Sequence, residues 1–156
     1  MCCFRQSCFV GFYYIRKCLL KMQMTAMEGI VPWLNSFALA AMDVAYRECD
    51  DWLNELLAYL TANRTVVTEF VTNQLPRIRT TVPQATYLAW FDCRDAGIEG
   101  NPYEFFRREA KVALNDGALF GAGGEGFVRL NFGCPRSLLL EGLERMKAAL
   151  ERMDRN

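Results

Sequence analysis

Between Asp50 and Gln74 the chain carries one unbroken helical pattern, and that run limits the fold more than any other feature. Its apolar positions Trp52, Leu56, Leu57, Leu60, Val66, Val67 and Phe70 recur at helical spacing. Asp50 and Asp51 suit its positive end as cap and first-turn acids, and Pro76 stops it. A shorter helix is predicted ahead of it over NSFALAAMDVAYREC, with Asn35 or Ser36 as N-cap. After Pro76 the pattern changes to two extended runs, Ile78–Val82 and Thr86–Asp92, parted by Pro83-Gln84. Asn101-Pro102-Tyr103-Glu104 then reads as a helix start: a cap, a proline in the first turn and a glutamate three residues on. That helix is expected to reach about Lys111. Short strands follow near Val112–Asn115 and Gly126–Phe132. A last helix runs from after Pro135 to about Met153, with Leu138, Leu139, Leu143, Met146, Ala149 and Leu150 inward. The order α-α-β-β-α-β-β-α lacks strict βαβ alternation. It predicts an α+β fold, a small mixed or antiparallel sheet with helices on one face.

Composition narrows the chemistry. Of 156 residues, 52% are hydrophobic and 23% charged, enough for a packed core. Eighteen basic residues cancel eighteen acidic ones, so no basic field for nucleic acid exists. The chain has no histidine. That removes Ser-His-Asp and Cys-His catalysis and the commonest ligand for zinc or copper. Seven cysteines are present, four of them within the first eighteen residues, with no regular spacing. They read as small core or helix-end residues in a reducing cytoplasm rather than as a disulfide framework. Residues 1–22 hold Arg5, Arg16, Lys17 and Lys21 around an apolar stretch from Cys8 to Ile15. That stretch is far shorter than the roughly 20 residues of a membrane span, so no membrane association is expected. Residues 1–25 are set apart as a divergent or remnant segment, and 26–156 as the domain proper.

Three features bear on a site. The glycine-rich GALFGAGGEG at 117–126 fails both phosphate-loop spacings, since no lysine follows Gly126 and a strand rather than a helix comes next. It reads either as a connection between strands or as a loop whose backbone approaches a ligand. Asn115-Asp116-Gly117 reads as a turn. Arg129 lies inside the strand FVRLNF with no other charge near it. Such an arginine either reaches solvent at a sheet edge or faces a charged partner, and a guanidinium fork suits a carboxylate. Arg136, in the first turn of the last helix, opposes the helix dipole and so either has a partner or points outward. The aromatic pairs Trp90-Phe91 and Phe105-Phe106 read as core. Of four lysines (Lys17, Lys21, Lys111 and Lys147), none sits in a sequestered setting fit for a Schiff base.

The stretch NDGALFGAGGEGFVRLNFGCPRSLLLEGLERM at 115–146 resembles the C-terminal signature of pyridoxal-phosphate (PLP) proteins of aminotransferase class I/II. Within them it is most similar to the MalY/PatB-type C–S lyases, the cystathionine β-lyase branch. WLNELLAYLTANR at 52–64, PQATYLAWFDCR at 83–94 and MEGIVPWLNSFALAAMDVAYRE at 27–48 resemble the same family in the same order. The resemblance implies the small C-terminal domain of a fold-type I PLP enzyme. It implies that Arg129, in the RLN-x-GCPR motif, binds the substrate's α-carboxylate. It also places the Asn115–Gly126 loop, with Asn115, Gly117, Phe120 and Gly121, at the active-site mouth. A complete relative would eliminate a thiol from cystathionine or another cysteine S-conjugate, leaving pyruvate and ammonia; aminotransfer is the sister outcome. The implied parent is a cytoplasmic homodimer. The family's Schiff-base lysine and other cofactor contacts belong to a large domain that precedes the matched region. The chain is therefore expected to bind no cofactor and to be inactive alone. A free-standing module for amino-acid binding or interaction is the rival expectation.

Overall fold

A computed structural model describes Leu19, Lys21, Met22, Thr25 and residues 35–155. The expectations for Lys17, the first four cysteines and most of 1–34 lie outside the described residues. The chain divides into two compact units, Met1–Asp50 and Asp51–Asn156. In the first, helix α1 (Ser36–Glu48) is capped by Asn35, whose Oδ1 accepts from the Ala38 N–H at 2.8 Å. Asp43 and Arg47 pair one turn apart along it, and it has no buried residue.

The second unit is an antiparallel sheet with helices on one face. Helix α2 (Asp50–Gln74) precedes β1 (Arg79–Thr80) and β2 (Leu88–Asp92). Helix α3 (Pro102–Phe105) widens into a π-helical turn, Phe106–Ala110. Then come β3 (Asn115–Asp116), a 3₁₀ turn (Gly117–Phe120), β4 (Phe127–Asn131) and α4 (Arg136–Met153). The strand order is β1-β2-β4-β3, and every pairing is antiparallel. Alternation along the two central strands assigns the faces. Ala89 and Phe91 of β2 and Val128 and Leu130 of β4 are buried. They meet Val67 and Val71 of α2, Phe106, and Leu139, Leu143 and Met146 of α4. Each large apolar side chain so buried contributes about 1.5–3 kcal/mol.

Several local expectations need adjusting. Burial on α2 begins only at Asn63, and Trp52 and Leu57 are exposed. Leu138 is also exposed, because the inward stripe of α4 starts at Leu139. The strands are shorter than their β-rich runs. Thr86 takes a left-handed φ of 67° ahead of β2, and Lys111 (φ 56°) ends the π turn so that only Asn115 and Asp116 reach the sheet. Asn101 caps α3 as expected, accepting from the Tyr103 N–H at 2.8 Å. Glu104, however, pairs with Arg107 instead of reaching back to the cap.

Candidate functional site

The face of the sheet opposite the helices is open, and the register decides what it displays. Trp90 of β2, Arg129 of β4 and Asn115 of β3 stand directly across from one another. Asp92, Phe127 and Arg79 form the parallel row two residues along. Arg129 is thus on a central strand, not an edge, and is half-buried. Its partner is neutral rather than charged: Nε and Nη2 donate to Asn115 Oδ1 at 3.3 and 3.1 Å. Its guanidinium lies 4.4 Å from the centroid of the Phe120 ring. Phe120 in turn meets Trp90 edge-on at 5.3 Å, and Trp90 meets Phe127 at 6.4 Å. Trp90 is therefore a surface aromatic of the open face, while Phe91 beside it is core. The strict alternation of Leu88, Trp90 and Asp92 with Ala89 and Phe91 carried that distinction in the sequence. In the other pair, Phe106 is core and Phe105 is half-buried against it.

The loop after β3 is shaped by two glycines. A Cβ on Gly117 would stand 2.3 Å from the Gly124 carbonyl oxygen, and one on Gly124 would stand 2.1 Å from that of Gly117. The backbones touch, so the glycines close the loop on itself. Asp116 Oδ1 accepts from the Ala118 N–H at 3.1 Å and starts the 3₁₀ turn that sets Phe120 over Arg129. Gly121 leaves that turn at φ 114°. Of the expected loop residues, Asn115 and Phe120 touch Arg129, whereas Gly117 and Gly121 shape the backbone that carries them.

The far end of the same face is charged and self-paired. Asp92 accepts from Arg94 Nε at 2.9 Å and Nη2 at 2.8 Å, and from Arg79 at 3.2 Å. These contacts hold the Asp92 carboxyl well below the usual carboxylate range, the Arg94 side-chain hydrogen bonds first, with burial opposing them. Cys93 behind it is buried, and desolvation pushes its thiol up to about 12, with the Asp92 charge adding to the effect. Cys49 and Cys134 are likewise free thiols, and burial raises that of Cys134.

Sequence reasoning passed over Asn63. It is fully buried on α2, and its Nδ2 donates to the carbonyls of Phe132 and Cys134, each at 3.0 Å. Its Oδ1 accepts from Arg136 Nε at 3.1 Å. The Arg136 N–H donates to the Tyr59 hydroxyl at 2.7 Å, so of the two alternatives for Arg136 it has partners, this pair from α2. A polar residue placed between Leu60 and Val67 on the inward side of a helix was the available signal.

Among the described residues, no three His, Cys, Asp or Glu side chains gather to hold a metal. No helix among them is long and apolar enough to cross a membrane. Lys147 donates to Gln74 at 2.8 Å. Lys111 is exposed at the rim of an open groove of about 370 Å³ between the β4–α4 turn and α4. Lys21 is exposed as well.

No family model matches the chain. Cystathionine beta-lyase PatB of Bacillus subtilis is 39% identical over 118 residues, which are 75% of this chain and 30% of PatB. Protein MalY of Escherichia coli is 40% identical over 107 residues, 68% of this chain and 27% of MalY. The PLP-bound C–S lyase from Staphylococcus hominis superposes with a TM-score of 0.76 at 31% identity, covering 85% of this chain and 35% of that one. The chain matches the C-terminal portion of MalY/PatB-type C–S lyases. It spans about a third of the length of these relatives. The α+β fold agrees with the match, since the C–S lyases that superpose on it are fold-type I PLP enzymes.

Proposed function

We propose that the chain supplies the substrate-carboxylate grip of a PLP-dependent C–S lyase that eliminates a thiol from cystathionine or a related cysteine S-conjugate. One observation carries this reading. Arg129 stands on the open face of a rigid central strand, oriented by Asn115 and Phe120 and without a carboxylate partner among the described residues. A planar guanidinium held in this way binds a carboxylate through two parallel hydrogen bonds. Fixing the carboxylate restricts rotation about the substrate's Cα, so the bond to be broken stays aligned. Phe120 and Trp90 give it an apolar flank, against which a carboxylate pair is less screened than in open water.

The described residues do not themselves fit the cofactor. Lys147 is engaged by Gln74, Lys21 and Lys111 are exposed, and the glycine loop closes on its own backbone rather than around a phosphate. What the described residues contribute is therefore recognition, and the bond-breaking chemistry belongs to the PLP-bearing part of such an enzyme. A parent homodimer in the cytoplasm agrees with this reading.

A hybrid enzyme tests it. Residues 35–155 replace the matching portion of PatB, and pyruvate release from cystathionine is followed. The hybrid is expected to turn over. Arg129→Ala should raise KM by about 100-fold, as loss of a charge-assisted pair does, with Arg129→Lys in between. An Arg129→Ala hybrid with unchanged KM would sink the assignment.

A further inference from the structure

The group that holds Arg129 is neutral, and its neutrality has chemical content. A guanidinium offers donors and no acceptor, so the Asn115 oxygen must face it and the amide nitrogen must turn away. Asn115 Nδ2 meets no acceptor among the described residues. The acid next in sequence is diverted, since Asp116 accepts from Asn101 Nδ2 at 2.7 Å and from the Ala118 N–H. At the other end of the same face the arrangement is reversed: Arg79 and Arg94 both pair with Asp92, and Arg79 also with Asp95 at 2.7 Å. Two arginines of one sheet face are neutralised by acids, and the third is only steered.

We infer that Asn115 is a positioning and specificity-determining residue for the carboxylate site. It fixes the Arg129 fork while leaving its charge uncompensated, and it offers Nδ2 as a further donor to the same anion. This rests on the reading of Arg129 as the carboxylate grip. Asn115 occupies the edge that carries Nε and Phe120 covers one flat side of the guanidinium, which leaves the edge that carries Nη1 to the anion. Asparagine is suited to this place and aspartate is not. The two are nearly isosteric, but a carboxylate at position 115 would pair with Arg129 itself and compete with the substrate's carboxylate.

The test uses the full 156-residue chain, labelled with ¹⁵N and titrated with sodium acetate against sodium chloride of equal ionic strength. The arginine Nε–H and asparagine Nδ2 signals are read. In the unaltered chain, Arg129 Nε and Asn115 Nδ2 should shift saturably, and Arg129→Ala should remove the shift at Asn115. Asn115→Asp should keep the dispersed spectrum and a thermal midpoint no lower than that of the parent, yet weaken acetate at least about tenfold through internal charge competition. A merely structural Asn115 would not separate stability from binding in this way. Asn115→Ala keeps the charge of Arg129 but loses its orientation and should weaken acetate about threefold. Equal affinity in Asn115→Asp and the parent overturns the inference and leaves the Arg129 reading standing. Unchanged affinity in Asn115→Ala overturns it as well, whether or not the aspartate variant folds. No saturable shift in the unaltered chain overturns both readings together.

Discussion

Asp92 ties two arginines to the charged end of the open face and lies directly before the buried thiol of Cys93. Its carboxyl titrates well below the usual range in the folded chain, against about 3.9 in an unfolded one. A depressed carboxylate stabilises the fold fully above the unfolded value, and that stabilisation is lost as pH falls towards the folded one. Asp92→Asn should therefore lower the thermal midpoint at pH 7, and the gap to the parent should narrow below about pH 4. A gap that does not change with pH would show that Asp92 acts through packing instead of charge. At this scale the sequence was readable wherever a side chain acts on its near neighbours. The cap of Asn101 could be named and that of α1 narrowed to Asn35 or Ser36, because a cap needs only the two or three residues that follow it. Arg129 could be singled out because its strand is otherwise uncharged. Its actual partner could not, since Asn115 comes opposite it only through the β3–β4 register.

At the scale of elements, order and type were legible and lengths were not. Propensity marked Ile78–Val82 and Val112–Asn115 as extended, but a strand exists only where a neighbour completes its ladder. The short overlaps with β2 and β4 leave two residues in each. The glycine-rich segment was open between connection and ligand loop. Its geometry explains its composition first: Gly117 and Gly124 lie backbone to backbone. Gly117→Ala should push the loop open and carry Phe120 off Arg129. The change would appear as exposure of Trp90, through red-shifted fluorescence and easier quenching by acrylamide, with helical circular dichroism retained. Unaltered Trp90 quenching would mean that the 3₁₀ turn does not depend on the contact. Trp33 and Trp52 are the other tryptophans, so the comparison is best made with both replaced by phenylalanine.

At the scale of the whole unit, long-range ties decide stability, and these were the least legible. Asn63 links α2 to the β4–α4 turn across some seventy residues, and no local pattern announces such a bond. Truncating it strands the buried Phe132 carbonyl and the partly buried one of Cys134, and releases Arg136. Asn63→Ala should cost about 2–4 kcal/mol, read as a lower urea midpoint with an unchanged slope. A loss below about 0.5 kcal/mol would show that water replaces the amide easily.

The strand order also has a consequence for how copies of the chain meet. The two long strands lie inside the sheet, and each outer position is filled by a stub of two residues. A passing extended segment finds at either margin a ladder too short to hold it, which is one way proteins escape fibrillar growth. Among the described residues, stickiness is then left to side chains such as Trp52, Leu57 and Leu119, all exposed. Contacts made in that way lack the backbone ladder that gives cross-β fibres their stability.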